Sequence, residues 1–131
     1  MTITTDVNPW ETAKAPSSRT PMIATGIHAF AEDYDLWIVD QCGVLHDGQV
    51  PYSGAIDCLL RLLSLGKRVV ILSNSGKGSA VNAHRIQAMG LTAQCYTTLI
   101  TSGEVAQASL AARADPFLPS IGHRCLLITS D

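Results

Sequence analysis

The sequence predicts an α/β fold built on an open parallel sheet, and two observations support this prediction. Residues 36–39 and 69–72 are continuous apolar runs without the alternation of a half-exposed strand, as is typical of parallel strands covered on both faces. Segments with helical spacing separate such runs, and a repeated strand–helix order implies parallel strands joined by right-handed crossovers.

The first half of the chain contains a predicted helix on either side of the first strand. Residues 22–32 could form a short helix, in which Gly26 is unfavourable. Apolar residues then recur at helical spacing over 55–63, and Gly66 is placed to end that helix. The second strand follows directly, so this part of the chain predicts one strand–helix–strand unit.

The second half continues the alternation. A helix is predicted over 79–89, with Gly90 at its end and three residues on its apolar side: Val81, Ile86 and Met89. Residues 95–98 indicate a short third strand. A further helix is predicted from Ser102, as its cap, to about residue 113. Residues 124–129 indicate one more strand.

Composition excludes several classes of function. The 131 residues are 47% hydrophobic and 15% charged, with mean hydropathy +0.20, which is enough apolar material for a core and excludes wholesale disorder. A net charge of −2 gives no electrostatic case for binding nucleic acid or an anionic membrane. No stretch approaches the roughly 18 apolar residues of a membrane span. The N-terminus lacks a secretion signal, and four widely spaced cysteines predict free thiols, so we expect a cytoplasmic protein.

The ends of the first two strands carry residues that suit phosphate chemistry. Asp40 ends the first apolar run and is followed by Gly43, while Ser73, Asn74 and Ser75 follow the second run. Ligands of open parallel sheets bind at the carboxyl ends of the strands. A carboxylate there can act as a nucleophile and a magnesium ligand, and serine hydroxyls with backbone N–H groups can bind phosphate. We therefore predict Asp40 as the nucleophile and the other four residues as phosphate ligands.

The segment 34–112 resembles the first half of a haloacid dehalogenase (HAD) superfamily hydrolase of class IIA. The matching stretches are VDQCGVLHDG, PYSGAIDCLLRLLSLGKRVVILSNS, RIQAMGL and TTLITSGEVA. The resemblance implies that residues 21–123 form the N-terminal half of a Rossmann-like core, preceded by an irregular lead-in at 1–20. Residues 124–131 would begin a C2-type cap, so the sequence would end before or within that cap.

The resemblance also implies an activity. It would be hydrolysis of a small phosphorylated metabolite through an aspartyl phosphate on Asp40, with Mg²⁺ held by Asp40 and the backbone carbonyl of Cys42. Ser73 would bind the transferring phosphoryl group, with Asn74 beside it. Asp40 and Ser73 are 33 residues apart (73 − 40), which leaves space for one helix and no inserted cap.

The sequence departs from the family pattern at the position of the usual proton donor. Where the family has a second aspartate, this chain has Cys42, a thiol that is poorly suited to acid catalysis at neutral pH. His46 and Asp47 follow closely and could supply a proton, although we favour an exposed turn for His46-Asp47-Gly48.

A second departure concerns the later motifs of the family. Their lysine and paired acidic residues, which complete the metal site, have no counterpart in this sequence. Two interpretations therefore stay open. The chain is part of a magnesium-dependent phosphatase, or it is a catalytically impaired fragment or non-enzymatic phosphate-binding remnant of the same fold.

Overall fold

The computed structural model describes residues 23–112 and the single residues 122, 124, 126 and 128. The predicted lead-in at 1–20 lies outside the described residues, as does most of the strand predicted at 124–129. Within 23–112, strands and helices alternate as follows: β1 (Leu36–Asp40), α1 (Ala55–Ser64), β2 (Arg68–Ser73), α2 (Ser79–Ala88), β3 (Thr98–Thr101) and α3 (Ser102–Ala112). Two 3₁₀ turns lie at Ile27–Ala29 and Ala93–Cys95.

The three strands form one parallel sheet in the order β1-β2-β3. Asp40 is paired with Leu72, and Ser73 is paired with Thr101. The last residues of all three strands therefore lie close to one another at a single edge of the sheet. This arrangement confirms the parallel α/β fold that the apolar runs predicted.

One face of the sheet carries the core. Helix α1 packs on β2, and α2 packs on β3, and alternate strand residues point towards these helices because successive side chains of a strand face opposite sides. The core formed in this way contains these buried residues: Leu59, Leu62, Val69, Ile71, Ile86, Leu91, Cys95 and Leu99. We call this the covered face.

The opposite face of the sheet stays open within the described residues, and α3 borders it. Ile38 is 64% exposed, Leu72 47% and Ile100 37%. We call this the open face. The sequence predicted strands covered on both sides, but the described helices cover one side.

The first long helix ends where the sequence predicted. Gly66 has a positive φ of 75°, and the N–H of Lys67 donates to the carbonyl of Leu62 at 3.0 Å. A left-handed residue followed by a hydrogen bond back into the last turn is the usual helix stop at glycine. No helix in the described part of the chain is long and apolar enough to cross a bilayer.

Three local predictions were wrong. The helix predicted at 22–32 is reduced to the 3₁₀ turn that follows Gly26. Residues 93–95 form a 3₁₀ turn that places Cys95 in the core, so the third strand begins at Thr98, three residues later than predicted. On α2, Val81 is 58% exposed. The next residue, Asn82, takes the buried position instead.

Candidate functional site

The carboxyl edge of the sheet brings together the residues that the sequence singled out. Asp40, Ser73 and Asn74 line the same cavity, which has a volume of about 750 Å³. Asp40 is exposed and Ser73 is buried. Since the two residues end neighbouring strands in nearly the same register, the predicted nucleophile shares one cavity with two of the predicted phosphate ligands, Ser73 and Asn74. The other two, Ser75 and Gly43, are not among the residues that line it.

Most of that cavity is apolar. Beyond its polar rim it is lined by residues of the open face and of α3: Leu72, Ile100, Val105, Ala106 and Leu110. A phosphate group is suited to the rim and not to these walls, since an unpaired charge is costly to bury among apolar side chains. The candidate site is therefore the rim, and the apolar remainder is the groove between the open face and α3.

The turn after β2 is organised by hydroxyl groups. Ser73 Oγ accepts the N–H of Ser75 at 3.3 Å, and Ser75 Oγ accepts the N–H of Lys77 at 3.2 Å. Each hydroxyl keeps its own proton, so both remain able to donate to a phosphate oxygen. The helix that follows, α2, begins at Ser79, so its N-terminus lies within a few residues of this turn, and a helix N-terminus favours an anion.

The start of α3 holds the same turn from the other side. The carbonyl of Ser75 accepts hydrogen bonds from Ser102 Oγ at 3.1 Å and from the N–H of Gly103 at 3.0 Å. A side chain at Gly103 would overlap the carbonyl of Gly76. The predicted cap of α3 was misassigned, because Thr101 Oγ1 accepts the N–H of Glu104 at 3.3 Å while Ser102 bonds to the turn.

The loop after β1 is closed by its own backbone. Gly43 has a positive φ of 86°, and its N–H donates to the carbonyl of His46 at 2.8 Å. The amide of Gly43 is thus engaged within the loop, and the residue serves the sharp turn more directly than it serves a phosphate. Cys42 is exposed beside it.

The donor set near Asp40 agrees in kind with Mg²⁺, which prefers carboxylate and carbonyl oxygens and usually keeps several waters. The Asp40 carboxylate and the backbone carbonyl of Cys42 are such oxygen donors. No group of three His, Cys, Asp or Glu side chains converges within the described residues. Asp40 is accordingly the carboxylate that this part of the chain offers to a cation at the edge of the sheet.

Neither alternative proton donor is suited to that role. His46 is 1% exposed, and its two ring nitrogens contact the side-chain amide of Gln41 at 3.0 Å and the N–H of Gly48 at 2.9 Å. Burial, followed by the nearby Arg85 guanidinium, lowers the pKa of His46. The imidazole is therefore neutral and enclosed, and the suggestion that it lies in an exposed turn was wrong.

Asp47 does lie in an exposed turn. Its Oδ1 accepts the N–H groups of Val50 and Gln49, both at 2.8 Å. These two hydrogen bonds lower the pKa of Asp47, so the carboxyl group is ionised near neutral pH and cannot donate a proton.

Sequence reasoning missed a buried polar cluster behind the loop. The side-chain amides of Gln41 and Asn82 face each other with N–O distances of 3.0 and 3.3 Å, and both residues are buried. Asn82 precedes Ile86 by one helical turn, a spacing that places two residues on the same face of a helix. That spacing was the available signal, and the polar character of Asn82 obscured it.

Comparison with known proteins connects this geometry to a family. A family model described as haloacid dehalogenase-like hydrolase matches residues 37–131. Among solved structures, the chain is similar to the crystal structure of a hydrolase of the haloacid dehalogenase-like family from Brucella suis 1330. The TM-score is 0.63 at 23% sequence identity, over 69% of this chain and 33% of that one. Comparison with curated proteins gave no match. The chain thus spans about a third of the solved structure.

Proposed function

The chain belongs to the haloacid dehalogenase-like hydrolase family, and from that premise we propose that it contributes the nucleophilic half of a phosphate monoester hydrolase. The observation that carries this proposal is the shared cavity rim of Asp40, Ser73 and Asn74 at the ends of two adjacent parallel strands. The proposed substrate is a small phosphorylated metabolite, and the proposed setting is the cytoplasm.

The reaction proceeds in two steps. The Asp40 carboxylate attacks phosphorus, so that a P–O bond to Asp40 forms while the bond to the leaving oxygen breaks. Water then attacks the aspartyl phosphate, releasing inorganic phosphate and restoring the Asp40 carboxylate. The hydroxyl groups of Ser73 and Ser75 donate hydrogen bonds to the phosphoryl oxygens throughout, with Asn74 beside them.

Magnesium, held by Asp40 and the carbonyl of Cys42, would supply positive charge to offset the repulsion between the carboxylate and the phosphoryl oxygens. The chain itself contributes two oxygen donors from one turn. The positive φ of Gly43 allows the sharp bend of that turn.

The proposal has a chemical consequence for the leaving group. Cys42 stands in the place of the proton donor, His46 is enclosed, and Asp47 is ionised. Since general acid help accelerates such reactions by about 10²–10⁴-fold, the site should favour esters whose leaving groups need no proton. Aryl and acyl phosphates are of this kind.

The first experiment measures hydrolysis of an aryl phosphate with and without Mg²⁺. Asp40→Asn should abolish turnover and the phosphoryl-enzyme adduct detected by mass spectrometry after acid quench. Asp35→Asn is the matched control, because Asp35 is exposed and precedes the same strand at its opposite end. Equal turnover by the Asp40→Asn variant and the original chain would remove Asp40 from the mechanism.

The second experiment restores a carboxyl group with Cys42→Asp. If this position limits the reaction, hydrolysis of alkyl phosphates should rise towards the about 10²–10⁴-fold range of general acid catalysis. Val44→Asp is the control, as Val44 is exposed on the same loop. A gain with both variants, or with neither, would contradict the assignment of Cys42.

The alternative function is phosphate binding without turnover, and the lack of a suitable proton donor near Asp40 among the described residues favours it. In that case inorganic phosphate should bind to the 73–75 turn, and no aryl phosphate should be hydrolysed. Phosphate titration followed by the amide resonances of Ser73 and Ser75, together with the turnover assay, separates the two functions.

A further inference from the structure

We propose that Asn82 and Gln41 form a buried clamp that positions the nucleophile, so that Asn82 is a positioning residue for Asp40. The inference rests on the proposed function. It concerns residues on two elements far apart in sequence, the loop that follows β1 and helix α2, which the buried amide pair joins.

The hydrogen bonds of His46 fix the orientation of the clamp. The N–H of Gly48 points at His46 Nδ1 at 2.9 Å, and because a backbone amide can only donate, Nδ1 must accept. A neutral imidazole then carries its proton on Nε2, which lies 3.0 Å from the Gln41 amide. That amide must therefore present its oxygen to His46.

The rest of the cluster follows from this constraint. The oxygen and nitrogen positions of a side-chain amide are interchangeable, and the surrounding hydrogen bonds decide which is which. With the Gln41 oxygen towards His46, the Asn82 amide must exchange its oxygen and nitrogen as well. The Gln41 NH₂ group then donates to the Asn82 oxygen at 3.0 Å, and the Asn82 NH₂ group donates to the Gln41 oxygen at 3.3 Å. All three contacts, at 3.0, 3.0 and 3.3 Å, are then satisfied at once.

These hydrogen bonds affect Asp40 because Gln41 follows it directly in the sequence. The Asp40 carboxylate is exposed, and the backbone at the end of β1 sets where it lies. Within the described residues β1 pairs with β2 alone. The Gln41 side chain adds a tie to α2, and Arg85 adds a second tie from α2 by donating to the carbonyl of Gly48 at 3.3 Å.

The phosphate turn is held differently, by Ser102 and Gly103 of α3. Loosening the clamp should therefore misplace the nucleophile and leave the phosphate ligands in position. An error of about 1 Å in the position of a reacting group can lower a rate by about 10²-fold. The effect is expected in kcat, with little change in KM.

The test compares three variants on an aryl phosphate with Mg²⁺. Asn82→Asp keeps the volume and the acceptor but removes the donor to Gln41, and Asn82→Ala removes both. Each should lower kcat by about 10- to 100-fold while KM stays within about threefold. Gln87→Ala, an exposed amide on the same helix, should change neither. Unchanged kcat in a folded Asn82→Asp variant would overturn the inference, as would a loss of activity that only follows the folded fraction.

A second readout does not depend on turnover. In ¹⁵N NMR spectra of the original chain, His46 should show a protonated Nε2 and an unprotonated Nδ1, and Asn82→Asp should shift the backbone amides of Asp40 and Cys42. If the chain hydrolyses nothing, the proposed function fails while this measurement still decides the clamp. The opposite tautomer, or unshifted Asp40 and Cys42 amides, would overturn it.

Discussion

The two faces of the sheet differ in how deeply their side chains are buried, although the same strands form both. On the covered face Val69, Ile71 and Leu99 are buried under α1 and α2. On the open face Ile38 and Leu72 remain substantially exposed. Asp40 belongs to the open set, two residues after Ile38, whereas Ser73 belongs to the covered set. The rim of the candidate site thus takes its nucleophile from one face and its buried phosphate ligand from the other.

This division shows why neighbouring apolar residues in one run need not contribute equally to stability. A buried side chain loses its full contact with water on folding, whereas a side chain on the open face loses only part of it. The difference can be measured directly by substitutions that remove the same atoms from the two faces.

The largest expected effect comes from truncating matched isoleucines. Ile71→Ala on the covered face should lower the free energy of unfolding by about 2–5 kcal/mol, the range for buried aliphatic truncation. Ile38→Ala on the open face should lower it by less than about 1 kcal/mol, as expected near a surface. Urea unfolding monitored by circular dichroism measures both. Equal losses would show that the open face is covered in solution.

The next effect tests the contact between α3 and the phosphate turn. Gly103→Ala forces a methyl group against the Gly76 backbone and should destabilise by about 1–3 kcal/mol, the range for overpacking, with weaker phosphate binding. Gly78→Ala is the control, because its φ of −61° suits alanine and nothing lies within 4 Å of the added methyl. Phosphate titration by calorimetry should separate them. Similar binding by both variants would mean that α3 does not hold the turn.

A smaller effect is the pH dependence of stability that His46 introduces. Because the folded chain lowers the pKa of His46 from 6.5, the unfolded chain binds the proton more readily. The contribution of the neutral His46 to the free energy of unfolding should therefore be fully present above pH 6.5 and decline as the pH falls below it. His46→Gln should flatten this decline.

Asp47 supplies an internal control for that pH experiment, since its lowered pKa acts in a separate window. Its contribution is present above pH 3.8 and is lost only as the pH falls below that value. Unfolding midpoints measured in urea between neutral and acid pH should resolve the two windows. A decline below pH 6.5 that persists in His46→Gln would assign it to another group.

The smallest effect is expected on the outer surface of α1, away from both faces. Arg61 and Asp57 form an exposed pair at 3.0 Å, four residues apart. Such pairs contribute about 0.3–0.5 kcal/mol, so Arg61→Gln should change the unfolding free energy by no more than this. A double-mutant cycle with Asp57→Asn measures the coupling, and a value well above this range would show that the pair is less solvated than its exposure indicates.

Sequence reasoning recovered the parallel sheet and the strand ends because both follow from local patterns. Continuous apolar runs locate the strands, and the topology of parallel sheets then places Asp40 and Ser73 at one edge. Sequence reasoning could not recover contacts between residues that lie far apart in the sequence. The tie between Gln41 and Asn82 spans 41 residues, and the fit of Gly103 against Gly76 depends on how α3 meets the turn. The late start of β3 has a local cause, the 3₁₀ turn that buries Cys95.

The exposed thiol of Cys42 offers a practical route to this site. Of the three cysteines in the described residues, Cys95 is buried in the core and Cys58 is half-buried. Burial, aided by the Asp57 carboxylate, raises the pKa of Cys58 and so reduces its thiolate fraction. Alkylating reagents should therefore label Cys42 ahead of these two. A fluorophore or spin label attached there would sit two residues from Asp40, where it can report the arrival of a phosphate ester without any added cysteine.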